Sequence, residues 1–292
     1  MASSRRLPGT PEPMTMLAGV DGLGIAADTW GKKGDPLVLL LHGGGQTRHA
    51  WKGTGEEIAG SGYRTVSLDA RGHGDSDWAK DGAYDQDSMI DDLVAVVNDL
   101  DDPHPVLVGA SMGGSVCLCA VGEGRVDARA LVLVDMAPQI EKEGAQRILD
   151  FMAQKPEGFE SLEEVAEAIA SYQPHRTRPR ALDGLKKNVR LDENDRLRWH
   201  WDPAWLGDKH FGEIGARLDR LQNSAEKLPG MNIPTLLVRG GLSDVLSEAG
   251  AQAFLETCPH AKYVNVTEAA HMMAGDRNDL FTTAVADFLN SL

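Results

Sequence analysis

Short apolar runs at residues 36–41, 64–68, 105–108, 130–134, 235–238 and 262–266 alternate with amphipathic stretches, and this alternation leaves few architectures open. Runs of that length suit buried strands. Strands separated by helical segments call for a mostly parallel sheet with helices packed on both faces. Residues 88–100 show the helical half of the pattern, with Met89, Ile90, Leu93, Val94, Val96, Val97 and Leu100 forming one stripe behind Asp87 or Ser88 as N-cap. Residues 14–20 and 23–29, joined by Asp21-Gly22, read as an opening hairpin, and residues 276–292 as a closing amphipathic helix. The apolar runs end in Gly, Asp, Ser or His, so polar chemistry collects at the carboxyl ends of the strands, where open α/β sheets hold their sites.

The rhythm breaks between residues 138 and 230, where helical segments replace strand-like runs. An all-helical insertion between two core strands reads as a lid. Within it lies Trp199-His200-Trp201-Asp202-Pro203-Ala204-Trp205, whose tryptophans either line a substrate pocket or hold together the lid's own small core. The expected organisation is a disordered tail at 1–13, a core at 14–137 and 231–292, and a helical cap at 138–230.

Composition narrows the function classes. A formal net charge of -15 repels phosphate backbones and anionic membranes, so neither nucleic acid nor membrane is an expected partner. The three cysteines give no even disulfide framework, and Cys117 and Cys119 alone make no zinc site. No apolar stretch reaches membrane-spanning length, and no apolar segment follows Arg5-Arg6 as a secretion signal would require. A cytoplasmic location is expected, and a homo-oligomer is compatible with the sequence.

Gly109-Ala110-Ser111-Met112-Gly113 matches G-x-S-x-G between a strand and a helix, the setting of a nucleophile elbow. The turn raises the Ser111 hydroxyl above the sheet, and Gly109 and Gly113 leave room for strand and helix to approach. The helix start offers free N–H groups to a developing anion. Leu41-His42-Gly43-Gly44-Gly45 follows the first buried run. An oxyanion needs two backbone donors; Met112 N–H is one, and Gly44 N–H the other, with Gly43 as fallback. His42 is read as a structural histidine that fixes its loop.

A serine nucleophile also needs a base, and the base needs an acid to orient it. His271 is late in the chain, at a strand's carboxyl end with Ala269 and Ala270 beside it, and so is the expected base. Asp244, beyond the run 235–238, is the favoured acid; Asp135, which ends the run 130–134, is its rival. Both satisfy the order Ser…Asp…His.

With these residues in place, the chain resembles α/β-hydrolase-fold proteins of the epoxide hydrolase, haloperoxidase and proline iminopeptidase-like branch. The resemblance rests on His42-Gly43, on Asp69-Ala70-Arg71-Gly72-His73-Gly74-Asp75-Ser76 as D-x-R-G-x-G-x-S, on Ser111-Met112-Gly113-Gly114, and on the Asp244 and His271 loops. It implies a mostly parallel eight-stranded sheet with a cap and a structural role for the Arg71–Ser76 loop. Similar epoxide hydrolases carry an aspartate at the elbow and tyrosines in the lid. Here the elbow holds Ser111 and the lid only Tyr172, which points to acyl chemistry instead.

The expected activity is hydrolysis of a small, largely apolar carboxylic ester, lactone or similar acyl compound, by Ser111, His271 and Asp244, without metal or organic cofactor. Trp199, Trp201 and Trp205 are the expected substrate contacts. The same triad serves cofactor-free perhydrolysis of the haloperoxidase kind and C–C bond or amide hydrolysis. A non-catalytic ligand-binding role is the reading from another class.

Overall fold

The computed structural model describes residues 5–172, 182–207, 214–271 and 278–292. Residues 1–4 of the expected tail, parts of the expected cap and residues 276–277 of the expected closing helix lie outside these. Among the described residues no helix is long and apolar enough to cross a membrane.

The core is an eight-stranded sheet built from β1 (Thr15–Ala18), β2 (Gly24–Trp30), β3 (Leu37–Leu41), β4 (Arg64–Leu68), β5 (Val106–Ala110), β6 (Ala130–Val134), β9 (Thr235–Gly240) and β10 (Lys262–Val266). Their spatial order is β1-β2-β4-β3-β5-β6-β9-β10. From β4 to β10 every pairing is parallel, while β1 and β2 join antiparallel at one edge as the expected hairpin.

Residues two apart along a strand share a face, so each buried strand feeds two cores. Leu37 and Leu39 of β3 join one apolar cluster, with Met89, Ile90 and Leu93 of α2 (Gln86–Asp99) and Val116 of α3 (Met112–Gly122). Val38 and Leu40 join the other, with Ile58 of α1 (Lys52–Gly60) and Val285 and Phe288 of the C-terminal helix Thr282–Leu289. Each fully buried leucine contributes roughly 1.5–3 kcal/mol. Helix α3 is buried along its whole length, between β5 and the helix Ile214–Ala225, which explains why it is apolar all round. The N-cap of α2 is Asp85, whose carboxylate accepts Ser88 N–H at 2.9 Å, so the helix begins earlier than Asp87 or Ser88 would set it.

The described residues between β6 and β9 are not all helical, contrary to the expectation for 138–230. Helices α4 (Lys142–Met152) and α5 (Leu162–Tyr172) are followed by an antiparallel hairpin of β7 (Val189–Leu191) and β8 (Leu197–Trp199). These strands are only three residues long, too short for alternation to show in the sequence. Nor is the segment from Arg5 a disordered tail. Arg5 pairs with Leu191 through two backbone hydrogen bonds of 2.8 Å, and Arg48 Nη2 donates to Pro11 O at 3.4 Å. Main-chain pairing needs no apolar signature, which is why composition pointed the other way.

Candidate active site

At the carboxyl end of β5 the chain turns through Ser111 with φ 46° and ψ -111°, a conformation that costs a non-glycine residue about 1–3 kcal/mol. Close packing enforces the turn. A Cβ on Gly109 would lie 2.5 Å from the backbone of Gly113, and one on Gly113 would lie 2.7 Å from Leu41. Ser111 N–H donates to Val134 O at 3.1 Å, which ties the elbow to the end of β6. Helix α3 starts at Met112, so its free N–H groups and positive dipole end sit directly behind the serine.

The loop after β3 lies beside this turn, with a Cβ on Gly43 only 3.3 Å from Ser111 Cβ. Its amides are divided among different tasks. Gly43 N–H donates to Gln46 Oε1 at 3.0 Å and Gly45 N–H to His73 Nε2 at 3.2 Å. Gly44 N–H and Met112 N–H have no hydrogen-bond partner among the described residues. The fallback Gly43 is thus committed elsewhere, while the favoured pair is open.

Three buried histidines hold this loop, and their partners fix their tautomers. His42 Nε2 accepts Ala70 N–H at 3.0 Å, leaving Nδ1–H to donate to Gly43 O at 2.8 Å. His73 Nε2 accepts from Gly45, so its proton is on Nδ1. His200, just after β8, accepts Gly74 N–H on Nδ1 at 2.8 Å and donates from Nε2 to Gly45 O at 3.1 Å. Burial drives the pKa of His42 down and that of His200 well down, against the opposing pull of the Asp69 carboxylate in both cases. The structural role expected of His42 agrees with these contacts; the part played by His200 was not visible in sequence.

His271 Nδ1 lies 2.6 Å from Oδ2 of Asp135, both residues being 3% exposed. Asp135 follows β6 directly, with φ 50°, a left-handed conformation that Asp tolerates better than most residues. Its Oδ1 accepts Gly240 N–H at 3.0 Å and its Oδ2 also accepts the Ser243 hydroxyl at 2.7 Å. The structure therefore corrects the expectation that Asp244 partners His271. The Asp244 side chain is 40% exposed and bonded to Arg147 of α4 at 2.7 and 3.1 Å. After β9 the chain turns so that Ser243 points inward and Asp244 outward, and α4 crowds it from outside: a Cβ on Gly144 would lie 2.0 Å from Asp244 O. Because β6 and β9 are neighbours in the sheet, loops from both reach the same place, and chain order cannot separate them.

The Arg71–Ser76 loop is a framework of buried hydrogen bonds. Arg71 grips Asp92 of α2 with Nε at 2.6 Å and Nη2 at 2.8 Å. Asp69 accepts from Arg48 N–H and Nη1, both at 2.6 Å, and its pKa is driven far down, mainly by Arg48 working against burial. Arg48, buried among Asp28, Asp69 and Asp75, carries no motif and was missed by the sequence reading.

The three tryptophans have different neighbours. Trp199 stacks on Trp201 at 4.9 Å and meets Phe159 and Phe151 edge-on or tilted. Trp201 and Trp205 reach the loop after β3. Trp205 Cη2 lies 3.3 Å from where a Cβ on Gly44 would stand, Trp201 Cζ3 lies 3.5 Å from that of Gly45, and Met152 touches both positions. Among the described residues no group of His, Cys, Asp and Glu side chains is arranged to hold a metal ion.

A strained serine between strand and helix, a histidine–aspartate pair and two unpaired amides thus gather at the carboxyl ends of the strands of a parallel sheet. A family model for the alpha/beta hydrolase fold matches residues 36–277. The chain belongs to that family. It is 27% identical over 285 residues to the esterase Rv0045c of Mycobacterium tuberculosis, covering 95% of this chain and 90% of that protein. With the non-heme chloroperoxidase CPO-A1 of Kitasatospora aureofaciens it shares 37% identity over 121 residues, 41% of this chain and 43% of the other. A crystal structure of an alpha/beta hydrolase from Novosphingobium aromaticivorans superposes with a TM-score of 0.76 at 23% identity, over 100% of both chains.

Proposed function

We propose that the protein is a serine hydrolase of small, largely apolar esters, lactones or similar acyl compounds, working through Ser111, His271 and Asp135. The observation that carries this reading is the 2.6 Å pair of His271 and Asp135 at the same sheet edge as the strained Ser111 elbow. Asp135 accepts a hydrogen bond from Nδ1–H, so His271 keeps its proton there and presents Nε2 as a base. Ser111 Oγ attacks the acyl carbon and its proton passes to Nε2. The amides of Gly44 and Met112 receive the oxyanion. Collapse of the intermediate expels the alcohol, which takes the proton from His271. Water then attacks the acyl-serine, His271 again accepts the proton, and release of the acid returns it to Ser111.

Trp201, Trp205 and Met152 against the oxyanion loop support an apolar substrate of modest size. Hydrolysis of p-nitrophenyl acetate and butyrate, with fluorophosphonate labelling read by mass spectrometry, tests the reading. Activity and a label on Ser111 are expected, and both are lost in Ser111→Ala; a label elsewhere, or an active mutant, refutes it. The similarity to a chloroperoxidase favours one second reading, perhydrolysis at the same serine. Peroxide-dependent bromination in acetate at acidic pH is its test.

A further inference from the structure

We infer that Ser243 is a positioning residue for the His271–Asp135 pair, its hydroxyl fixing the carboxylate and drawing off part of the charge that His271 would otherwise receive. The inference rests on the triad proposed above and deepens it. Asp135 Oδ2 is shared by two donors, the His271 ring nitrogen at 2.6 Å and the Ser243 hydroxyl at 2.7 Å.

The direction of the Ser243 proton follows from a count of its partners. A serine hydroxyl has one proton and two lone pairs. Ser243 Oγ accepts Val245 N–H at 3.2 Å and Leu246 N–H at 3.1 Å. Both lone pairs are occupied, and the proton is left to Asp135. The loop after β9 thus acts on the site through a hydroxyl that it holds in a single orientation, one residue before the outward-facing Asp244.

With Gly240 N–H on Oδ1, the carboxylate accepts three hydrogen bonds and cannot rotate away from His271. Removing the Ser243 hydroxyl concentrates the negative charge on the oxygen that faces the imidazole. The imidazolium is then stabilised more strongly, and the ring protonates at higher pH. Other ionisable groups face this corner from the lid. Arg147 of α4 is paired with Asp244, and Tyr172 of α5 feels both Asp244 and Asp135, its phenol pushed up chiefly by burial. These groups stay the same in every variant below.

The test is an NMR titration of the imidazole nitrogens, with His271 assigned by its loss in His271→Gln, beside the pH profile of kcat/KM for p-nitrophenyl butyrate. In Ser243→Ala the His271 midpoint should rise by about half a pH unit or more, roughly threefold in proton affinity, and the acid limb of kcat/KM should move with it. Ser243→Thr, which keeps the hydroxyl, should restore the original midpoint. If Ser243→Ala does not fold, Ser243→Cys keeps the shape with a weaker donor and should shift the midpoint the same way by less. A folded Ser243→Ala or Ser243→Cys that titrates like the original chain overturns the inference. Asp135→Asn separates the two readings: if it leaves the His271 titration and the activity unchanged, the triad assignment fails, whereas an effect of Asp135→Asn without one from Ser243→Ala refutes only the role of Ser243.

Discussion

Exchanging Asp135 for asparagine places an amide where three donors converge, and the geometry gives the cost. With the new NH2 in the Oδ2 position it faces the His271 nitrogen, 2.6 Å away in the native pair, and the Ser243 hydroxyl at 2.7 Å. With the amide turned over, NH2 faces Gly240 N–H, whose native bond is 3.0 Å. The first orientation is relieved when His271 moves its proton to Nε2 and accepts on Nδ1, but that tautomer has no lone pair to offer Ser111. The second leaves two buried donors opposed, at about 1–3 kcal/mol. A triad held in the wrong tautomer loses about 10⁴ in kcat, or about 5.5 kcal/mol of transition-state stabilisation. Asp244→Asn, in contrast, removes only a solvent-exposed ion pair with Arg147, worth about 0.2–1 kcal/mol of stability, and should change kcat by less than about twofold. The assay is kcat and KM for p-nitrophenyl butyrate near pH 8, with thermal unfolding to confirm that both variants fold. A folded Asp244→Asn that loses three orders of magnitude, beside an Asp135→Asn that loses less than one, would refute the assignment.

Three further outcomes follow from the packing and protonation of the site. Gly109→Ala puts a methyl 2.5 Å from the Gly113 backbone and should destabilise the fold by about 3 kcal/mol or more, read as a loss of urea resistance; a loss below about 1 kcal/mol would mean the elbow is not closely packed. His200 is buried neutral with its pKa lowered, so its contribution is intact above about pH 6.5 and is lost as pH falls below that, by up to about 1.4 kcal/mol between pH 6.5 and 5.5. Urea unfolding across that window should show a flatter decline in His200→Gln, and equal declines would contradict a buried, neutral His200. Trp205→Leu opens space over Gly44 and should raise kcat/KM for p-nitrophenyl octanoate relative to butyrate; an unchanged ratio would place the acyl chain elsewhere.

What the sequence revealed, and what it hid, divides along the range of the interactions. The apolar runs predicted the core because the central strands β3, β5, β6 and β9 are buried on both faces, a condition written locally in their residues. The elbow was equally local: Gly109, Ser111 and Gly113 are close in the chain because one turn needs all of them. The acid was different. Asp135 and Asp244 each follow a strand, and the choice depends on the turn after β9 and on how Gly144 of α4 presses against Asp244, which are tertiary facts. Arg48, His200 and Ser243 were missed for the same reason, since each acts on residues remote in sequence and belongs to no spaced motif. The tail from Arg5 and the β7–β8 hairpin were missed because backbone pairing over a few residues leaves little trace in side-chain pattern.

Two histidines far apart in the chain meet on Gly45. His73 holds the amide of that glycine from the loop after β4, and His200 holds its carbonyl from the segment between β6 and β9. The neighbouring amide of Gly44 is therefore flanked by a residue that this segment braces. Shortening that segment would remove the His200 end of this hold on Gly45, so trimming it should lower turnover at the proposed site.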